Sequence, residues 1–155
     1  MSVRDEIKRK SGCKFQPANA AGLQQLRAPG APEDLWAFFS ASEPAGLVEI
    51  NKVRRWPISV VFEENTDAGP GSDAQAGGYA ASATTIYGDA FSFDTRTSGA
   101  PVVLIAHDLE TDKGRVTRED LAPLARPTAR NFGELLRESA AETLDIAPLY
   151  PKRDG

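Results

Sequence analysis

The spacing of apolar residues in the first forty positions predicts helices. Leu35, Phe38 and Phe39 recur at i, i+3 and i+4, so they form one apolar stripe on a helix that faces the core. Shorter helical segments are predicted upstream of it, over 1–14 and over 18–27. The chain therefore begins with helical structure before any strand is expected.

β-branched and aromatic residues dominate the middle of the chain. Strands are predicted over 47–50, 58–62, 83–94 and 101–106. Phe91 and Phe93 are two residues apart and should share one sheet face. The run 101–106 is apolar throughout, which is typical of a strand covered on both faces, and it should pair with 83–94 as a hairpin. The intervening stretch 63–78 is polar and glycine-rich and predicts a long mobile loop.

Capping signals and a second apolar stripe predict helices near the C-terminus. Thr117 precedes Asp120 by three residues and Asn131 precedes Glu134 by three, the spacing of side-chain caps at helix N-termini. The second helix should pack on the sheet through Phe132, Leu135, Leu136, Ala140 and Leu144. We therefore predict an α+β fold, a single mostly antiparallel curved sheet flanked by N- and C-terminal helices.

The composition of the 155 residues, 41% hydrophobic and 26% charged, is that of one globular domain. We divide it into a lead-in (1–29), a core (30–145) and a tail (146–155). Cys13 is the only cysteine and cannot form an internal disulfide, which favours a reducing, cytoplasmic compartment. The first residues are charged and lack an apolar run, so we expect neither a signal peptide nor a membrane association.

Charge is distributed unevenly along the chain. The 18 Lys and Arg against 22 Asp and Glu give a net charge of −4, which argues against nucleic-acid binding. Residues 63–112 carry nine acidic side chains and one cation, Arg96, for a net −8, whereas the flanking parts are +3 and +1. This acidity is explained either by solvated loops or by a surface that meets a basic partner.

The candidate catalytic groups form no recognisable set. His107 is the only histidine, so no histidine pair can hold a metal, and a strand-end structural role is favoured over a nucleophilic pair with Cys13. The glycines at 69 and 71 fit the glycine pattern of a dinucleotide-binding motif, which must be followed by a helix. Gly77 and Gly78 follow instead, and they disfavour a helix there. We predict no catalytic residue, no metal and no cofactor, and hence a protein that is not an enzyme.

Four segments, in order, resemble the SUKH superfamily, which includes fungal cell-wall-synthesis regulators and bacterial toxin-immunity proteins. They are Pro-Glu-Asp-Leu-Trp-Ala-Phe (32–38), Gly-Asp-Ala-Phe-Ser-Phe-Asp (88–94), Pro-Val-Val-Leu-Ile-Ala-His (101–107) and Arg-Asn-Phe-Gly-Glu-Leu-Leu (130–136). The resemblance covers about 30–145. Two departures are a diffuse polar stretch over 66–82, where the family has a compact turn, and extra proline-containing sequence between 116 and 132.

The resemblance implies a domain that acts by binding, as an immunity protein that neutralises a cognate bacterial toxin, for example a nuclease. A basic toxin cleft would attract the acidic residues, and aromatic side chains would supply the lasting contact. The partner-binding residues expected on this basis are Glu63, Glu64, Asp67, Asp73, Trp56, Tyr79 and Tyr87. The expected partner is a protein, and the chain itself is expected to be a monomer or weak dimer.

Two other functions remain open from the sequence. A regulatory scaffold that docks on a cellular protein would use a broad apolar patch around Trp36, Trp56 and Tyr150. A small acidic-cleft hydrolase would instead need two carboxylates at a fixed separation, drawn from Asp89, Asp94, Asp108 and Glu110.

Overall fold

The structure, a computed structural model, describes residues 2–27, 33–58, 61, 77–106 and 117–147. The α-helices in these ranges are α1 (Val3–Ser11), α2 (Ala20–Arg27), α3 (Glu33–Ala41), α4 (Arg118–Leu121) and α5 (Phe132–Ala141). The strands are β1 (Phe15–Gln16), β2 (Glu43–Pro44), β3 (Val48–Ile50), β4 (Val53–Arg55), β5 (Tyr79–Thr85), β6 (Ala90–Asp94), β7 (Val102–Ile105) and β8 (Ala125–Ala129). None of the helices described is long and apolar enough to cross a membrane.

Six of the strands form one antiparallel sheet in chain order, β3-β4-β5-β6-β7-β8. The order means that each strand pairs with the next one along the chain, through turns or longer connections. The short strands β1 and β2 form a separate antiparallel pair, which the sequence pattern did not predict. The α+β fold is confirmed, and the curvature of the sheet stays a prediction.

The main core lies between one face of the sheet and helices α1, α3 and α5. Phe91 and Phe93 are fully buried and share this face, as predicted from their spacing. The ring of Phe93 lies 5.8 Å from that of Phe132, edge to face, at the start of α5. The predicted stripe packs on the sheet as expected, with Phe132, Leu135, Leu136 and Ala140 buried in α5. Leu144 is buried too, but it lies beyond the helix, which ends at Ala141.

A smaller core lies on the opposite face of the sheet. It consists of Tyr79, Ile105 and Leu121, with Val103 packed against them. Since Val102 and Leu104 belong to the main core, β7 is covered on both faces, as its continuous apolar run predicted. Leu121 brings the short helix α4 onto this second face.

The predicted strand over 58–62 is wrong at the two positions that the structure describes. Ile58 and Val61 are helical, and the Val61 N–H donates to the carbonyl of Pro57 at 3.2 Å. The strand lies a few residues earlier, as β4, in a hairpin with β3. Proline pre-organises the first turn of a helix, and a short apolar run of β-branched residues fits a buried helical turn as well as a strand.

The capping signals are confirmed, whereas strand β8, like β1 and β2, was not predicted. Thr117 and Asp120 form a reciprocal capping box, and the Asn131 side chain accepts from the N–H of Glu134 at 2.9 Å. β8 lies in the proline-containing sequence between these caps. Its Pro127 sits opposite Val103 on the last strand of the sheet, where a missing N–H is tolerated.

Candidate interaction surface

Several residues predicted for the site lie outside the described residues. These are Glu63, Glu64, Asp67 and Asp73 of the acidic set, together with His107, Asp108, Glu110 and Tyr150. The predicted mobile loop over 63–78 falls there too, except for its last two residues. Of the aromatic set, Trp56, Tyr79 and Tyr87 are described.

Trp56 lies at the open end of the β3–β4 hairpin, and Tyr87 lies in the β5–β6 turn beside the closed end of that hairpin. Trp56 follows β4 directly and is half-buried. Tyr87 lies in the turn between β5 and β6 and is 37% exposed. It contacts the turn of the neighbouring hairpin through Lys52, whose Nζ is 3.4 Å from the Tyr87 hydroxyl and 5.9 Å from the ring centroid. The Ile86 N–H donates to the Lys52 carbonyl at 2.9 Å and so joins the two turns.

Leu47 is a further member of this surface that sequence reasoning missed. It is 52% exposed, and it immediately precedes β3. The register pairs Val48 with Arg55, so Leu47 and Trp56 are the residues that flank the open end of the hairpin. Among the described residues, Leu47 and Tyr87 are the large hydrophobic side chains with exposed surfaces. We call Leu47, Lys52, Trp56 and Tyr87 the hairpin edge.

The hairpin edge lies at the end of the sheet that β3 forms. β3 pairs with β4 on one side, and no other strand of the described residues pairs with it. On the solvent face of the hairpin, Arg54 Nε donates to the Glu49 carboxylate at 3.1 Å, and both side chains are nearly half exposed. A terminal strand with exposed apolar side chains nearby is the kind of surface that binds another chain.

Tyr79 is separated from the hairpin edge. It is only 5% exposed, and its ring packs beneath the guanidinium of Arg118, with Cζ 4.8 Å from the centroid. Tyr79 pairs with Asp94 at the far end of the β5–β6 hairpin from Tyr87. The structure thus places Trp56 and Tyr87 on two neighbouring hairpins, at opposite ends of β4, and Tyr79 inside a packed cluster.

Two of the carboxylates considered for hydrolysis lie at opposite ends of β6. Asp89 precedes the strand and is fully buried, and Asp94 ends it. Five residues of extended chain separate their Cα atoms by about 16 Å. Paired glycosidase carboxylates are about 5 to 10 Å apart, so these two are not spaced as such a pair.

The carboxylate of Asp94 accepts hydrogen bonds from three neighbouring residues. Burial alone would raise its pKa, but hydrogen bonds from the Thr97 hydroxyl, the Arg118 guanidinium and the Arg96 N–H outweigh burial and hold the pKa below its ordinary value. Asp94 is therefore ionised at neutral pH and has the properties of a structural anion rather than a proton donor.

The described residues offer no metal site at the hairpin edge. In the described part of the chain no group of three or more His, Cys, Asp or Glu could hold a metal ion. A shallow cavity of about 330 Å³ lies at the other end of the sheet, beside β8 and the start of α5. It is lined by Pro101, Pro127, Thr128, Ala129, Arg130 and Glu134. Comparison of this chain with known protein families, with curated proteins and with solved structures found no match.

Proposed function

We propose that this chain is a non-enzymatic binding protein that neutralises a cognate basic toxin by direct contact, and that the hairpin edge supplies that contact. The observation that carries the proposal is the position of Leu47 and Tyr87. Leu47 lies at the open end of the terminal β3–β4 hairpin, and Tyr87 lies in the β5–β6 turn that contacts the closed end of that hairpin through Lys52. The resemblance to SUKH immunity proteins gives the class of partner.

The hairpin edge combines the elements of a small binding hot spot. Tyr87 presents a ring held in place by Lys52, so little side-chain entropy is lost when a partner covers it. Leu47 and Trp56 add apolar surface at the open end of the β3–β4 hairpin. Between them, the outer side of β3 offers main-chain groups for an added strand of the partner.

The acidic residues are proposed to act on the rate of association. Residues 63–112 carry a net −8, and four of their carboxylates, Glu63, Glu64, Asp67 and Asp73, lie within eleven consecutive positions. A concentrated negative charge attracts a cationic cleft over about one Debye length and raises the on-rate at low salt. It adds less to the lifetime of the complex than the apolar contacts do.

The decisive experiment uses the toxin encoded beside this gene. Co-expression should protect cells from the toxin, and the purified proteins should bind in a calorimetric titration. Tyr87→Ala and Leu47→Ala should each weaken binding about tenfold or more. Ser98→Ala, an exposed position in the turn at the other end of β6, is the control and should bind like the wild type. A toxin that is neither bound nor neutralised would contradict the proposal.

The charge contribution is tested separately. Glu63→Gln, Glu64→Gln, Asp67→Asn and Asp73→Asn combined should lower the association rate and its salt dependence while leaving the dissociation rate nearly unchanged. Stopped-flow kinetics at low and high salt separate the two rates. An unchanged association rate would remove the acidic residues from the proposed mechanism.

A further inference from the structure

The strand at one end of the main sheet, β8, is guarded against pairing with another chain. Its Pro127 has no N–H to offer, and its register with β7 skips Thr128, as in a β-bulge. Arg126 donates through Nη2 to the carbonyls of Asp145 and Ala147 at 3.1 and 3.0 Å, so the chain that follows α5 runs beside this strand. Proline, bulges and covering segments are the devices by which proteins protect a sheet edge.

The strand at the other end of the sheet, β3, carries none of these devices in the described part of the chain. Val48, Glu49 and Ile50 include no proline, and their register with β4 is continuous. The Glu49 side chain is 47% exposed, and Leu47 just before the strand is exposed as well. No strand of the described residues pairs with the outer side of β3. The described sheet therefore has one guarded edge and one open edge.

The main-chain groups of Glu49 point away from β4. The two-residue turn of the hairpin, 51–52, is flanked by Ile50 and Val53, which therefore form a hydrogen-bonded pair. Hydrogen-bonded and non-bonded pairs alternate along an antiparallel ladder, so Glu49 and Arg54 form a non-bonded pair. The N–H and C=O of Glu49 lie on the outer edge of β3 as a result, where a further strand can bond to both.

The side chains of β3 divide this edge into two faces. Val48 and Ile50 are buried in the main core, whereas Glu49 lies on the solvent face. Arg54 Nε donates to one oxygen of the Glu49 carboxylate, Oε2, at 3.1 Å. A strand added at this edge sets one residue directly opposite Glu49, with the Cα atoms about 5.5 Å apart. An opposite charge at that position stabilises the pairing, and a like charge destabilises it.

We propose that the outer edge of β3 takes up a strand of the partner, antiparallel like the other strands of this sheet, with a lysine or arginine directly opposite Glu49. Main-chain bonds to Glu49 hold the strand, and the cation sets its register. The inference deepens the proposed function and rests on it for the basic character of the partner. A second copy of this chain fits less well. Its residues 43–51 include no cation, and two β3 strands centred on Glu49 set like charges opposite each other.

A preorganised β-hairpin peptide tests the edge without the toxin. Its outer strand is Thr-Val-Lys-Val-Thr, which sets the lysine opposite Glu49 and the valines opposite Val48 and Ile50. In an NMR titration of the full chain, the Glu49 amide should shift in a saturable way and become protected from hydrogen exchange, because its N–H gains an acceptor. A matched hairpin with glutamate in place of the lysine should bind about fivefold more weakly.

Two substitutions separate the main-chain bonds from the charge. Glu49→Gln keeps the N–H, so it should still bind both hairpins and should lose the preference for lysine. Glu49→Pro removes the outward N–H without removing a bond to β4, so the fold should persist while binding of both hairpins is lost. Equal binding by the two variants would overturn strand addition, and equal binding of both hairpins to the wild type would overturn the role of the charge. If Glu49→Pro fails to fold, protection of the wild-type Glu49 amide decides.

The toxin complex separates this inference from the proposed function. A toxin that binds while the Glu49 amide stays unprotected overturns the inference and leaves the proposed function standing. A toxin that does not bind contradicts the proposed function, and the hairpin titration still decides whether the edge accepts a basic strand. Shifts of the Glu49 amide that follow the concentration of the chain itself would identify a second copy as the occupant and overturn the inference.

Discussion

Arg118 donates through Nη2 to both carboxylate oxygens of Asp94, at 2.8 and 2.7 Å. Its Nη1 donates to the carbonyl of Gly77 at 3.0 Å, and the Thr97 hydroxyl donates to the same carboxylate. One arginine thus joins α4 to the end of β6 and to the residues just before β5. This arrangement fixes the second face of the sheet, on which Tyr79 packs.

Loss of this pairing should destabilise the fold. Arg118→Gln removes charged hydrogen bonds from a carboxylate whose side chain is only 12% exposed, so the free energy of unfolding should fall by about 1.5 to 3 kcal/mol. Arg54→Gln, which removes an exposed pair with Glu49, should cost at most about 1 kcal/mol. Urea denaturation at pH 7 measures both. Equal losses in the two variants would contradict a special role for Arg118.

The same pairing makes stability depend on pH in the acid range. The pKa of Asp94 is below its ordinary value of 3.8 in the folded state. Its contribution is therefore complete above the unfolded-state pKa of about 4 and is lost as pH falls through the lower folded-state value. Asp94→Asn should remove this part of the acid sensitivity. Urea midpoints from pH 7 to pH 2 would contradict it if both proteins lost stability in parallel.

Gly22 is required by close packing rather than by backbone conformation. A Cβ atom there would lie 2.5 Å from Cγ2 of Ile58, a buried branched side chain. Gly→Ala in a helix normally stabilises by about 1 kcal/mol, but Gly22→Ala should destabilise by about 1 to 3 kcal/mol. Thermal unfolding measures the change.

Two variants control the Gly22 experiment. Gly46→Ala adds a methyl group where no atom lies within 4 Å, and it should be nearly neutral. In an Ile58→Ala background the obstruction is gone, so Gly22→Ala should no longer destabilise. A cost that persisted in that background would show that the clash with Ile58 is not its cause.

Local patterns predicted the helices and their caps. The stripe of α5 and the pairs Thr117–Asp120 and Asn131–Glu134 are set by residues three or four apart. Phe91 and Phe93 were placed correctly for the same reason, since alternation is a property of neighbouring residues. Trp56 and Tyr87 were proposed for the site as aromatic residues, and the structure places Trp56 directly after β4 and Tyr87 in the neighbouring β5–β6 turn.

Features that depend on distant parts of the chain were missed. The exposure of Leu47 follows from β3 being the terminal strand, which no local pattern reveals. Arg55 reads as a polar strand residue in sequence, and only its register opposite Val48 shows that it faces the core. The strand β8 contains Pro127 and became recognisable only by its pairing with β7.

The turn of the β3–β4 hairpin is strained at Lys52. Asn51 and Lys52 have φ values of 49° and 64°, the left-handed geometry of a two-residue turn in which glycine is favoured at the second position. Lys52→Gly should be about 1 kcal/mol more stable than Lys52→Ala, because both lose the contact with Tyr87 and only glycine relieves the backbone. Denaturation midpoints of equal value would contradict this.

Glu43 holds a helical turn in place through a buried carboxylate. Its Oε2 accepts the N–H of Ile58 at 2.9 Å, its Oε1 accepts the Gln16 amide at 3.2 Å, and the residue is only 4% exposed. Glu43→Ala leaves a buried N–H without an acceptor, so it should cost about 1 to 3 kcal/mol and speed hydrogen exchange at Ile58. Glu43→Gln keeps an oxygen for Ile58, and the Gln16 amide can turn its own oxygen toward the new NH₂ group. The glutamine variant should therefore retain both the stability, within about 1 kcal/mol, and the slow exchange. If glutamine proved as destabilising as alanine, the charge of Glu43 rather than its acceptor atom would be what this turn requires.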